Sequence, residues 1–308
     1  MYRMLCSLFA LFCCVSLMGQ TQLTTAPNAV SDEKVNTEKS LLWKISGKSL
    51  NNPSYLYGTI HMIHKDDFFL TDSTKSTFDR CERVAFEINL EEMSDMSILF
   101  KLMGKIMMDE GTKLADLLNE DDYQKVAARF EDMGLPMAFL DRIKPMFLST
   151  MLAGGESAEG GFTTGDMVSY EMELMEMAKS NDMEMAGLES IAYQLSMFDS
   201  IPYKAQAEML VESLDMETEG TDQFKEMVEV YKAQDIEAMQ TLFKDTEGGL
   251  GDYEDLLLGN RNRNWIPIME ELMNDKPTFF AVGAGHLGGK AGVIVLLREA
   301  GYTVEAIQ

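Results

Sequence analysis

"LYGTIHMIH" (residues 56–64) decides how this chain is read. An apolar, strand-like run stops at Gly58 and then holds two of the three histidines in the 308-residue sequence. The third, His286, repeats the arrangement in "FAVGAGHLGG" (residues 280–289), where an apolar run meets Gly283 and a histidine comes three residues on. Short apolar runs closed by glycine read as buried strands. Glycine at the strand end relaxes the backbone and lets another group approach. Open α/β sheets assemble their sites at the carboxyl ends of strands. Gly58-Thr59-Ile60-His61 and Gly283-Ala284-Gly285-His286 therefore each put a histidine at such an edge. One histidine in such a turn reads as a structural side chain; two in matching context point to a shared site.

Working outward, "LLWKISG" and "SYLYGTIHMI" read as strands joined by the turn chemistry of "KSLNNPS". "RVAFEINL" (Arg83 to Leu90) is a further strand with Glu87 near its end. In a parallel arrangement that carboxylate falls on the same edge as His61. From Ser94 to about Met273 the pattern turns helical, with "NEDDYQKVAARFEDMG", "PYKAQAEMLVESL" and "TDQFKEMVEVYKAQD" as clear segments. "TGDMVSYEMELMEMAKS" reads as one helix, with Met167, Tyr170, Leu174 and Met177 on one face. A short strand, "MEMAGL", separates it from the helices that follow. "PTFFAVGAGH", "KAGVIVLLREAG" and "YTVEAI" return to strand, helix and strand. The expected class is α/β, with α+β as the alternative: a central sheet from the N- and C-terminal segments around a large helical middle section, residues 94–273.

Residues 1–19 carry Arg3 and then an apolar run from Met4 to Met18, too short for a transmembrane helix and suited to a secretory signal peptide. Residues 20–39 read as a flexible spacer and 40–308 as a single domain. Cys13 follows Phe12, and Cys14 follows Cys13, which disfavours a lipoprotein anchor. The expected location is extracytoplasmic, periplasmic or secreted, with no membrane span after cleavage. Three of the four cysteines leave with the leader, so Cys81 stays unpaired and reads as packing. A net charge of −25 repels phosphate backbones and argues against nucleic acid as a partner. The methionine-rich helices read as core filling, and "GGESAEGGFTTG" (residues 154–165) as an exposed loop.

A carboxylate in a buried strand is costly without a partner, so Glu87 suggests a cation or a hydrogen-bond network. Two histidines plus one carboxylate can hold a divalent metal with a position left open for water. They can equally work without metal as general acid and base. His64 completes a His-x-x-His pair and reads as a ligand or substrate contact, or as a turn residue. Arg261, in "GNRNRNWIPIMEELM", is a candidate to clamp a carboxylate or stabilise an oxyanion. Pro267 is expected in the first turn of that helix or at a kink. No His-Glu-x-x-His helix, Walker loop, Gly-x-Ser-x-Gly elbow or Cys-x-x-Cys motif is present.

"WKISG...PSYLYGTIHM", "AFEINL", "GLES...Q", "NRNRNW" and "FFAVGAGHLGGKAGVIVLLREAGYTVEAI" resemble the TraB/GumN family, related to the Tiki metalloproteases and more distantly to the erythromycin-esterase and ChaN-like proteins. The resemblance covers about residues 40 to 308. It implies an α/β core made by the two ends of the chain and a site matching His61, His286 and Glu87. The family's Arg-Asn pair matches Arg261 and Asn262 before Trp265, and its Gly-Leu-Glu motif matches Gly187, Leu188 and Glu189, with Gln194 after it. The chain has Asn260 where an acid often precedes the Arg-Asn pair.

The expectation is an exported metal-dependent hydrolase, a peptidase acting on a peptide or protein substrate. His61, His286 and Glu87 would hold a divalent cation (Zn, Mn or Co), with Glu87 as ligand or general base and Arg261 at the oxyanion. His64 and Asn262 would contact substrate, and Glu189 would support the site from behind. A metal-independent esterase-like hydrolase and a non-catalytic peptide- or metal-binding protein are the alternatives.

Overall fold

The computed structural model describes residues 38–89, 104–109, 111–153, 167–219, 221–244 and 253–308. Its strands in chain order are β1 (Leu42–Ser46), β2 (Ser54–Thr59), β3 (Ile63–His64), β4 (Arg83–Ile88), β5 (Met167–Val168), β6 (Glu184–Glu189), β7 (Thr278–Gly283) and β8 (Thr303–Ile307). Six of them form one mixed sheet in the order β6-β4-β7-β2-β1-β8. β2, β7, β4 and β6 run parallel, while β1 is antiparallel to both β2 and β8. Every residue of β2, β4 and β7 is buried, as near-continuous apolar runs require when a parallel sheet is covered on both faces.

Register decides where chemistry can happen. Thr59 lies opposite Gly283 across β2 and β7, and Phe86 lies opposite Ala281 across β4 and β7. The two Gly-x-x-His turns therefore leave neighbouring strands at one level, with Glu87 beside them on the other flank of β7. The opposite edge is pinned by Arg83, whose guanidinium donates to Glu184 at 2.8 Å and Asp275 at 2.6 Å.

The helices are α1 (Asp72–Phe78), α2 (Leu114–Leu117), α3 (Glu120–Asp132), α4 (Met137–Leu140), α5 (Pro145–Ala153), α6 (Tyr170–Ser180), α7 (Ile191–Met197), α8 (Tyr203–Glu219), α9 (Thr221–Lys232), α10 (Ile236–Lys244), α11 (Asn260–Asp275) and α12 (Val293–Glu299). The main core joins the sheet to α6, α9, α11 and α12. A second apolar cluster forms between α2, α3, α5 and α8, around Leu114, Val126, Phe130, Leu148 and Leu210. Among the described residues no helix is long and apolar enough to cross a membrane.

The α/β architecture agrees with the sequence reading, with specific corrections. The sheet also takes β6 from within the helical middle. The helix expected from Thr164 starts at Tyr170. Met167 and Val168 instead pair with His64 and Ile63, and the Ser169 hydroxyl caps α6 by accepting from the Met172 N–H. "SYLYGTIHMI" is not one strand, because β2 ends at Thr59 and the chain turns before β3. Pro267 sits inside α11, well beyond its first turn. The leader, most of the spacer, the start of the helix near Ser94 and the loop at 154–165 lie outside the described residues.

Two glycines separate packing from open space. An added Cβ at Gly187 would lie 2.4 Å from the Asn89 nitrogen and 2.9 Å from the Ile88 carbonyl carbon, backbone atoms that cannot swing away. One at Gly285 would meet nothing within 4 Å. We expect Gly187→Ala to cost about 2–3 kcal/mol and Gly285→Ala to stay within about 0.5 kcal/mol of the parent. Urea unfolding midpoints of the two variants check this, and equal midpoints would contradict it.

Candidate active site

His61 lies two residues past β2, buried at 5% exposure. Its Nδ1 is 3.0 Å from Glu171 Oε1. The same oxygen accepts the Thr59 hydroxyl at 2.7 Å, and Glu171 Oε2 accepts from Ser169 Oγ at 3.2 Å. A carboxylate so bonded accepts the proton on Nδ1, so in the neutral imidazole the lone pair is on Nε2. Burial alone would lower the His61 pKa, but the Glu171 carboxylate and then Glu87 outweigh it and raise it. Burial would raise Glu171, yet His61 and Thr59 hold it below the ordinary range.

His286 lies in the short turn Ala284–His286 that follows β7. Its Nε2 is 3.1 Å from Arg261 Nη1. Arginine only donates, so Nε2 carries the lone pair and Nδ1 the proton, which goes to Asn262 Oδ1 at 2.6 Å. Asn262 is oriented in turn, because its amide nitrogen donates to the carbonyls of Ala291 at 2.8 Å and His286 at 3.3 Å. Burial pushes the His286 pKa down to about 3. The ring is neutral and packs on Trp265, with centroids 4.4 Å apart.

Glu87 connects the two histidine turns. Its Oε1 accepts the Gly283 N–H at 3.0 Å and lies 3.7 Å from His286 Nε2. Its Oε2 pairs with Arg261 Nη2, with Gln194 Nε2 3.4 Å away. Burial would raise this carboxyl, but Arg261 and the two histidines hold it down at about 2. A Cβ on Gly283 would stand 3.3 Å from Glu87 Oε1, 3.6 Å from His286 Cδ2 and 3.9 Å from His61 Nε2. The space over Gly283 is thus bordered by both rings and the carboxylate, and a side chain there would fill it.

Arg261 is fully buried. Its Nε donates to Glu189 at 3.0 Å, Nη1 to the Leu257 carbonyl at 3.2 Å and to His286, and Nη2 to Glu87 and Glu189. That engages all five N–H groups of the guanidinium, leaving none for an oxyanion. The Leu257 acceptor lies in a widened helical turn, Asp255–Gly259, which leads into α11. Glu189 is also held by Trp265 Nε1 at 3.0 Å, and burial raises its pKa against the pull of Arg261.

The structure thus brings His61, His286, Glu87, Arg261, Asn262 and Glu189 together and leaves His64 aside. His64 is partly exposed, with Nδ1 3.6 Å from Asp66 Oδ2. Asn262 is buried and its amide is bonded to the His286 turn, where it orients the ring. Sequence reasoning missed Glu171 and Thr59. Glu171 sits in a run with Glu173 and Glu176, and nothing in that spacing separates the one inward acid from the others.

Both histidines have Nδ1 anchored, by Glu171 and by Asn262, as metal-ligating imidazoles commonly do. Together with Glu87 these are side-chain types that ligate divalent cations. Among the described residues, no group of three or more His, Cys, Asp or Glu stands at metal-holding spacing. The Arg261 N–H on His286 Nε2 uses the lone pair that a cation would need.

Two zebrafish (Danio rerio) proteins are similar to this chain at 22% identity: Metalloprotease TIKI2, matched over 95% of this chain and 66% of its own length, and Metalloprotease TIKI1, matched over 97% and 70%. The chain therefore spans just under two thirds of the first of these relatives. Metalloprotease TIKI1 of Xenopus tropicalis is 28% identical over 36% of this chain and 21% of its own. No solved structure matches the chain. The TraB/PrgY/gumN family model matches residues 41–306, nearly all of the sheet and helices described above, and the chain belongs to that family.

Proposed function

We propose that this protein is an exported metal-dependent hydrolase acting on peptide bonds of a peptide or protein substrate. The observation that carries the reading is the convergence of His61, His286 and Glu87 around Gly283, with both imidazole Nδ1 atoms anchored. Metalloprotease relatives support the reaction class. The apolar leader at residues 4–18 supports export.

His61 Nε2, His286 Nε2 and Glu87 Oε1 are the atoms that would hold the cation. When bound, a divalent cation supplies Lewis acidity to a carbonyl and lowers the pKa of water. Glu87, at a pKa of about 2, is a weak proton acceptor near neutral pH, so it serves as ligand and fixed charge and not as general base. Arg261 holds Glu87 and Glu189 in place, and its bond to His286 Nε2 would have to be released for that nitrogen to hold a cation. Asn262 keeps the His286 tautomer throughout. A partial charge left on a substrate oxygen must then be met by a group other than Arg261.

A second reading keeps the site and dispenses with metal. It is favoured by the buried His61–Glu171 pair, in which His61 takes a proton at Nε2 while the carboxylate steadies the imidazolium. Metal analysis of the mature, tag-free protein separates the two. Near-stoichiometric Zn, Mn or Co in the parent, with affinity reduced by about 100-fold or more in His286→Ala, supports the metal reading. Metal-free protein that takes up no added cation yet cleaves peptides in the presence of chelator selects the second.

Glu87→Gln provides a further check. It removes a carboxylate facing a buried guanidinium, so we expect loss of turnover together with about 3–5 kcal/mol of stability. His61→Ala should also lose turnover, and because it leaves the buried Glu171 carboxylate without its basic partner the unfolding midpoint should fall as well. Full peptidase activity in either variant would exclude this site as the reacting one.

A further inference from the structure

Glu171 is a buried acid that takes no direct part in the proposed reaction, and the architecture around it is more specific than core packing requires. Its Oε1 accepts from two groups of the same turn, the Thr59 hydroxyl at 2.7 Å and His61 Nδ1 at 3.0 Å. Thr59 ends β2 and His61 follows two residues later, so one carboxylate oxygen spans the Gly-x-x-His turn from inside. The acid itself stands in the first turn of α6, where the Ser169 hydroxyl both caps the helix and reaches Glu171 Oε2 at 3.2 Å.

The two-stranded sheet β3–β5 joins these pieces. Ile63 pairs with Val168 and His64 with Met167, stitching the chain just after His61 to the chain just before Glu171. Tyr170 adds a second clamp, because its hydroxyl donates to the Phe69 carbonyl at 2.8 Å and its ring packs 4.6 Å from Phe68. His64 thus contributes backbone pairing to the site, which accounts for its position in the His-x-x-His pair without a ligand role.

We infer that Glu171 is a positioning residue: it fixes His61 as the Nδ1–H tautomer with Nε2 turned toward Glu87 and Gly283, and β3–β5 holds that pair in register. The same assignment serves either reading of the site, because a metal ligand and a general base both need the Nε2 lone pair. Its consequence for cation uptake rests on the metal reading proposed above.

The small number of histidines makes the test direct. The mature protein is labelled with 15N-histidine, and imidazole tautomers are read by NMR at a pH where all three rings are neutral. In the parent, His61 and His286 should both appear as Nδ1–H tautomers. Glu171→Leu, which offers no acceptor, should move His61 to an Nε2–H or mixed tautomer and leave His286 unchanged as an internal control for the fold. Glu171→Gln, which keeps an amide oxygen near Nδ1, should recover part of the parent signal. Titration with Mn, Co or Zn should show about 10- to 100-fold weaker binding to Glu171→Leu.

A parent His61 in the Nε2–H form, or one whose tautomer is the same in Glu171→Leu, would overturn the inference. The parent spectrum alone can do so if the leucine variant fails to fold. The tautomer shift without cation binding by any variant would sustain the positioning role and remove the metal reading instead.

Discussion

The buried guanidinium of Arg261 is the constraint around which the site is arranged. A charge with no solvent exposure carries a desolvation penalty of several kcal/mol, offset only by well-aligned partners. Those partners are Glu87 from β4 and Glu189 from the end of β6, adjacent parallel strands, with the His286 ring from the turn after β7 and the Leu257 carbonyl from the turn before α11. Four segments distant in sequence must therefore meet before the charge is satisfied. The ion cluster closes the carboxyl edge of the sheet much as Arg83 closes the other, but the Arg83 carboxylate partners are largely exposed and contribute less.

Charge balance adds a second constraint. Glu87 and Glu171 are held ionised, each by a basic partner, and Glu189 is pushed toward its neutral form by burial. Arg261 can neutralise one of the acids, and His286 is neutral at its depressed pKa. His61 supplies the remaining positive charge when protonated, which is why its pKa is driven up despite burial. The acids of the cluster thus outnumber its fixed positive charge, the Arg261 guanidinium.

Much of this was legible in the sequence because the signals were local. A glycine closing an apolar run marks a strand end, and a glutamate inside "RVAFEINL" stands out because a lone buried carboxylate is costly. The Arg-Asn and Gly-Leu-Glu motifs came through family resemblance, and the structure brings them to the same edge. What was not legible depends on tertiary geometry. Glu171 looks like any first-turn acid, and only the pairing of β3 with β5 turns it inward. Met167 fits a helical face by spacing, yet Ser169 starts the helix after it. The number of donors Arg261 has already spent can be counted only once its neighbours are placed.

That count bears on how the site can work. An imidazole Nε2 has one lone pair, and in His286 it is engaged by an N–H of Arg261. A cation at that nitrogen and the arginine hydrogen bond are mutually exclusive, so occupancy of one is release of the other. The guanidinium is a rigid plane, so turning Nη1 from His286 would also shift Nη2 and Nε against Glu87 and Glu189. Trp265 stacks on the guanidinium, 4.9 Å from ring centroid to Cζ, and also packs on the His286 ring. The indole thus lies against both of the groups that share that lone pair.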